Sequence, residues 1–489
     1  MRSSASWSAG SIANARAGDE RAVSAAILWF RRDLRTEDLP ALAAAADAGH
    51  DAVVPLFVVD PKLLRPAGPN RRRFLAGALR ALDEELGGTL VLRRGDPRVV
   101  VAALAAEIGA SVVAATADFG PYGAARDAAV SVQLAAAGRR LATVDSCYTV
   151  APGTLRSASG SPFRVYSAFR RALETRGWPP PADPRPDVVF TGAPSDAGLD
   201  EIAAPARGGE TLAVPDWWAG LPLGPAVNLP KAGTRAARER LETFAAGPLS
   251  RYAQDRDHPA IAGTSGLSPD LHLGAIHPRT IAARLTPAGP GAERMRDELA
   301  WRDFYADVLW HQPQSARHPL QSFGEYLRWD AGPGAQERFA AWACGRTGFP
   351  LVDAGMRQLL AEGFMHNRVR MVSASFLVKD LHIDWRLGAR WFMWHLVDGD
   401  LASNQHGWQW VAGTGTDAAP FHRVLNPERQ RQRFDPDDAY VARYLGTPSA
   451  FARRPIVDHA RERLETLARF DEARRRSAAA PAGPVPSPG

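Results

Sequence analysis

Cysteine is almost absent from this chain. Only Cys147 and Cys344 occur in 489 residues, far apart and without Cys-x-x-Cys spacing. The sequence therefore offers neither a disulfide framework nor a thiolate zinc site, and it fits a reducing, cytoplasmic setting. Long apolar runs are missing as well: no segment reaches the roughly 18 residues of a membrane span, so no membrane partner is expected. The first residues hold arginine, alanine and serine without an apolar stretch, unlike a secretory leader. Lysine occurs only as Lys62, Lys231 and Lys379, so the formal net charge of +6 is carried by arginine. A flat guanidinium suits bidentate contacts to phosphate, although a GC-rich genome produces the same bias.

What is present falls into two halves. Short apolar runs with β-branched residues recur at Ala25–Phe30, Ala52–Asp60, Leu90–Arg94, Ser111–Ala117 and Leu141–Ser146, separated by helical patterns such as Arg71–Leu86 and Val99–Ile108. This alternation predicts an α/β, Rossmann-like parallel sheet. The glycine-rich dinucleotide loop that should follow the first strand is absent; Arg31-Arg32-Asp33-Leu34-Arg35 stands there. We read 1–24 as a disordered extension, 25–178 as the α/β domain, 179–233 as a Pro- and Gly-rich linker, 234–476 as an all-α domain and 477–489 as a flexible tail.

The helical half holds the polar constellations. Gly263-Thr264-Ser265-Gly266-Leu267-Ser268-Pro269 combines hydroxyls with a helix start, Ser268 suiting the N-cap and Pro269 the first turn; it serves equally as a phosphate cradle or an ordinary capped helix. Glu298, Trp301, Arg302 and Tyr305 share one helix face, as do Asn367, Arg370 and Met371, with Arg368 pointing elsewhere. Asp398, Asp400 and Asn404 resemble a calcium loop only superficially, because Ser403 and Gln409 occupy the glycine and glutamate positions, so no metal is expected. Trp329, Trp385, Trp408 and Trp410 suit either core packing or electron transfer beside a redox cofactor.

The stretches WFRRDLR, GTSGLSP, DELAWRDFY, MHNRVRM, DGDLASNQHGWQW and GTGTDAAPFHRVLNP, in this order, resemble the signatures of the photolyase/cryptochrome family. Within it the chain looks most similar to class I cyclobutane pyrimidine dimer photolyases. The resemblance implies flavin adenine dinucleotide (FAD) in the helical domain, and light-driven repair of damaged DNA by a monomer. A cryptochrome-like photoreceptor is the alternative. Carried over by residue, Tyr252, Thr264, Ser265, Gly266, Leu267 and Ser268 surround the cofactor's phosphates and sugars, and Arg302, Arg370, Asp398, Asp400 and Asn404 line the rest. Asn404 lies beside the flavin N5, where plant cryptochromes carry Asp; a neutral amide does not repel an anionic reduced ring.

The same resemblance makes Trp408, Trp385 and Trp329 an electron relay running from flavin to surface. It lines the lesion pocket with Glu298, Trp301, Asn367, Met371 and Trp410, and sets Arg256, Arg368, Arg423 and Gln430 on the flanking DNA backbone. Enzymes of the (6-4) type have histidines where Asn367 and Met371 stand, which favours the cyclobutane dimer as substrate. An antenna chromophore is also implied. Gly123 replaces the acid of folate-binding relatives and His272 replaces a lysine of a deazaflavin-binding one, so a deazaflavin is expected before a folate.

Overall fold

The computed structural model describes residues 25–204, 214–285, 289–416, 423–446 and 453–480. The expected N-terminal extension, most of the expected tail and part of the GTGTDAAPFHRVLNP motif lie outside them. Five parallel strands, β1 (Ala25–Phe30), β2 (Ala52–Val59), β3 (Val91–Arg94), β4 (Val112–Thr116) and β5 (Arg140–Val144), form one sheet in the order β3-β2-β1-β4-β5. Every residue of β1 and β2 is buried, as strands covered by helices on both faces must be. Alternate residues of β1 feed separate cores: Ala26, Leu28 and Phe30 pack with Phe57, Phe74 and Leu79, whereas Ile27 and Trp29 pack with Leu56, Val113 and Val130. Strand order reverses between β1 and β4, so a crevice opens beyond their carboxyl ends.

Proline opens many of the helices, including Pro69–Glu85, Pro97–Glu107, Pro121–Ala136 and Pro290–His311. Its fixed φ matches a first helical turn, and its missing N–H would have had no partner there. Among the described residues every strand lies before residue 145, and the chain from Thr234 onward is helical. The helical core gathers Phe339, Trp342, Phe376, Trp385, Trp391, Trp408 and Tyr440. Asn367–Ser375 runs into a π-helical turn, Phe376–Asp380, and a left-handed His382 (φ 55°) before the Trp385–His395 helix begins.

The expected linker does more than connect. Phe190 bridges to Val53 beside the sheet, Ile202 is buried in the sheet's core, and Trp218 stacks on Phe339 at 5.4 Å in the helical core. The last helix, His459–Ala479, also continues past residue 476 into the expected tail. Between sheet and helices the contact is close. Leu34 N donates to Leu273 O at 3.1 Å, and Gly274 (φ +70°) lies so near β1's extension that a Cβ there would stand 1.9 Å from Arg32 O. Only glycine fits such a backbone approach.

Candidate flavin and lesion site

The helix Leu401–Ala412 supplies the centre of the site. Asp400 caps it, accepting from Ser403 N at 2.9 Å, and Asn404 and Trp408, four residues apart, share a face. Asn404 Nδ2 donates to Ala389 O at 3.1 Å and to Gln405, which leaves its oxygen as the acceptor end. Trp408 is 2% exposed and its buried indole N–H has no partner. Gly388 makes room for this ring, since a Cβ there would stand 2.2 Å from Trp408 Cη2. Trp385, 1% exposed, lies in the same core; Trp329 packs on its outer side, near Phe470 of the last helix. Burial thus falls from Trp408 and Trp385 toward Trp329.

A second wall joins three segments distant in sequence. Arg370 Nη2 holds Asp398 Oδ2 at 2.9 Å, Ser268 Oγ donates to the same oxygen at 2.6 Å, and Arg370 Nε donates to Met365 O. Beside them Gly266 takes a left-handed φ of +63°, Thr264 is exposed, and Tyr252 is buried with its ring edge on Phe244. The Thr264 and Ser265 hydroxyls, the fixed Arg370 cation, the Asn404 amide and the unpartnered buried Trp408 indole N–H are a donor set that fits a flavin dinucleotide.

One sequence expectation is corrected here, and two other residues have partners that the sequence did not announce. Ser268 is the first helical residue rather than the N-cap, and its hydroxyl serves Asp398 instead of backbone N–H groups. Arg302, expected to line the cofactor, also donates to Cys147 O at 2.7 Å and Leu271 O at 3.0 Å and covers the Tyr148 ring. Asp400 likewise faces the sheet, where Arg32 Nη2 meets it at 2.6 Å. Burial alone would raise the Asp400 carboxyl, but Arg32 and Arg302 hold it far below the carboxylate range. Both residues are struts between the two parts, a role that helix spacing alone does not reveal.

On the lesion side, Glu298 and Trp301 project from Pro290–His311. Arg256 Nη1 lies 2.5 Å from Glu298 Oε1; burial raises the Glu298 carboxyl above its usual range, and Arg256 opposes this most. Trp301 is stacked on Tyr166, with centroids 3.6 Å apart and planes 5° from parallel. Asn367 is exposed at the first turn of its helix, whose cap is His366 Nδ1, and Met371 and Trp410 are half-buried. Arg423 lies 5.5 Å from the Trp410 ring centroid. Of the expected DNA contacts, Arg256 and Arg368 are not free in this state. Arg368 Nη2 pairs with Asp257 at 2.9 Å and covers Phe434, and Gln430 Oε1 is buried without a partner. Sequence reading missed Tyr166, Asp257 and Arg32 in these roles. Only Arg32 carried a signal, by standing where the dinucleotide glycines should be.

A cavity of about 200 Å³ opens at the strand-order reversal, between sheet and helices, lined by Trp29, Arg31, Arg32, Asp118, Tyr122 and Arg126 among others. The Asp118 carboxylate occupies the space beside Gly123, its Cγ 2.1 Å from where a Cβ would lie. Gly123 is thus accompanied by an acid five residues earlier in the chain, and the glycine alone does not argue against folate. His272, on the helical side, is held down to about 3 by burial and by Arg32, so its ring is neutral near pH 7.

Residues 26–187 match the family model described as DNA photolyase, and residues 295–469 match the FAD binding domain of DNA photolyase. The chain is 38% identical to the deoxyribodipyrimidine photo-lyase of Halobacterium salinarum over 92% of its own length and 99% of the relative's. A bacterial class III photolyase from Agrobacterium tumefaciens superposes with a TM-score of 0.82 at 34% identity, covering 94% of this chain and all of that one. An archaeal photolyase from Sulfolobus tokodaii, solved with two FAD molecules, gives 0.73 at 27% identity, covering 91% and 99%. The chain belongs to the DNA photolyase family. These matches do not support the class I placement, one of them being a class III photolyase, and they do not favour the photoreceptor alternative.

Proposed function

We propose that this chain repairs cyclobutane pyrimidine dimers in DNA by light-driven electron transfer from FAD to a dimer flipped out of the helix. The observation that carries this reading is the shared helix face of Asn404 and Trp408, which puts a neutral amide acceptor and a buried indole side by side. FAD, when bound, supplies the light-excitable one-electron donor. Thr264, Ser265, Gly266, Leu267, Ser268 and Tyr252 hold its polar end, with Arg370 and Asp398 beside it. Trp408, Trp385 and Trp329 are the path by which an electron enters from the surface. Glu298 hydrogen-bonds the base edge, Trp301 and Trp410 stack on the extruded bases, and Asn367 and Met371 complete the pocket. Arg256, Arg368, Arg423 and Gln430 hold the flanking backbone, which makes affinity salt-dependent.

The cavity beside β1 takes a second, antenna chromophore, a deazaflavin in preference to a folate. Its aromatic wall of Trp29 and Tyr122 and its arginines suit a flat anionic ring. The reading takes the protein as a monomer working in the cytoplasm.

The test is light. Purified, chemically reduced protein should restore dimer-containing DNA under blue light and leave it unchanged in darkness; flavin binding with dimers intact under illumination would overturn the repair reading. Trp408→Phe should slow photoreduction while sparing repair by chemically reduced enzyme, and equal loss of both would remove Trp408 from the relay. Absorption spectra of protein reconstituted with deazaflavin or folate decide the antenna.

A further inference from the structure

Two arginines assigned above to the DNA backbone are already engaged. Arg256 lies 2.5 Å from Glu298, Arg368 lies 2.9 Å from Asp257, and Arg256 Nε is 3.9 Å from the other Asp257 oxygen. The four groups form a ladder of alternating charge, Glu298, Arg256, Asp257, Arg368. Each guanidinium also lies over an aromatic ring, Arg256 at 5.7 Å from the Tyr252 centroid and Arg368 at 4.4 Å from that of Phe434. A guanidinium seated on a ring can change its anion without losing its seat. Phosphate presents a pair of oxygens much as carboxylate does.

We propose that Glu298 and Asp257 stand in the free protein for the phosphates flanking the lesion, and that damaged DNA displaces them. Arg256 and Arg368 pass to phosphate, and the released Glu298 takes up one proton from solvent and donates a hydrogen bond to a carbonyl of the flipped base. This rests on the DNA-repair reading given above.

The surroundings of Glu298 decide the proton's fate. Tyr252, Arg256 and Asp257 face it from the neighbouring segment, Arg294 and Asp297 from its own helix, and Tyr166 from the helix Tyr166–Arg176. Arg294 is paired with Asp297 at 3.1 Å, and Arg170 reaches the same Asp297 at 2.8 Å. Once Arg256 leaves, the nearest cations are committed elsewhere, and a base covering Glu298 removes its water. Burial already pushes this carboxyl upward with Arg256 in place. The Glu298 and Asp257 side chains are similarly exposed in the free protein, 31% and 34%, so the single proton is assigned to Glu298 because it is the one the flipped base covers. Undamaged DNA can take the arginines, but it leaves Glu298 wet and therefore ionised.

The sign follows from linkage. Glu298 has a higher pKa in the complex than in the free protein, so the extra affinity is complete below the free-state value and is lost as pH rises through the bound-state value. Calorimetric titration of the flavin-loaded protein in darkness, with a duplex carrying one cyclobutane dimer and with its undamaged counterpart, reads this directly when repeated in buffers of different ionisation heat. About one proton should be taken up with damaged DNA and none with undamaged. At fixed ionic strength Kd should rise by up to about tenfold per pH unit as pH climbs from the free-state toward the bound-state value of Glu298. Glu298→Gln, which donates without a proton, should abolish the uptake and bind equally well across that range. Asp257→Asn should tighten binding to both duplexes while keeping the one-proton uptake. Dimer-selective binding without uptake, or uptake that survives Glu298→Gln, would overturn the exchange alone. Equal affinity for both duplexes would overturn the repair reading and the exchange together.

Discussion

Arginine does two different jobs in this molecule, and the contrast lies in what each guanidinium holds. At the junction of sheet and helices, Arg35 donates to Gly274 O and Asp38 O, Arg302 to Cys147 O and Leu271 O, and Arg279 to Asp38 and Asp145. These partners include fixed backbone carbonyls, so the bonds cannot be exchanged without separating the two parts. On the lesion face, Arg256 and Arg368 each rest on an aromatic ring and hold a carboxylate, and Arg423 lies over the Trp410 ring. There the ring positions the charge and the anion is replaceable. One population glues the fold, and the other is poised for a ligand.

The sharpest way to break the first population is Asp400→Ala, which removes both the partner of Arg32 and the cap of Leu401–Ala412. Stability should fall by about 3–5 kcal/mol in chemical denaturation. The next concerns Asp303, buried at the same junction and accepting from Thr149 N at 3.3 Å, whose carboxyl burial pushes up to about 7. Its folded pKa exceeds the unfolded value, so its contribution is complete below about pH 4 and is lost as pH rises to about 7. Asp303→Asn should remove a decline of about 4 kcal/mol across that window, read by urea melts at successive pH values.

The second population should respond in binding rather than in folding. Trp301→Ala should cost about 1–3 kcal/mol of affinity for dimer-containing DNA in gel-shift titrations, with much less effect on undamaged DNA. Arg368→Ala should have the smallest effect. It should weaken both DNAs alike and reduce the slope of log affinity against log salt by about one, while shifting stability by no more than about 1 kcal/mol. A larger stability loss there would place Arg368 with the structural arginines and erase the distinction.

The sheet was legible because its strands are buried on both faces and read as unbroken apolar runs, and β1 begins and ends where its sequence pattern does. The helical half was legible through motif resemblance, but side-chain direction was not. Arg302 shares a face with Glu298 by spacing, yet its long stem crosses to Cys147 while Glu298 turns to Arg256. Spacing fixes where a Cβ points, whereas partners far along the chain decide where the rest of a long side chain goes. Tyr166 was invisible for the same reason: nothing near it in sequence announces the indole of Trp301, which meets it from a helix more than a hundred residues away. The Asp118 carboxylate beside Gly123 is a smaller case, a local substitution answered by a neighbouring loop.

Gly274 carries a consequence beyond packing. It meets Arg32 main chain to main chain, so between the cavity at the sheet edge and the wall formed by Asp398, Asp400 and Asn404 the two parts touch through backbone as well as through side chains. Resonance energy transfer depends steeply on the separation and mutual orientation of two transition dipoles. A main-chain contact at the junction would hold both quantities more nearly constant than a contact between side chains would, for any pair of chromophores seated on its two sides.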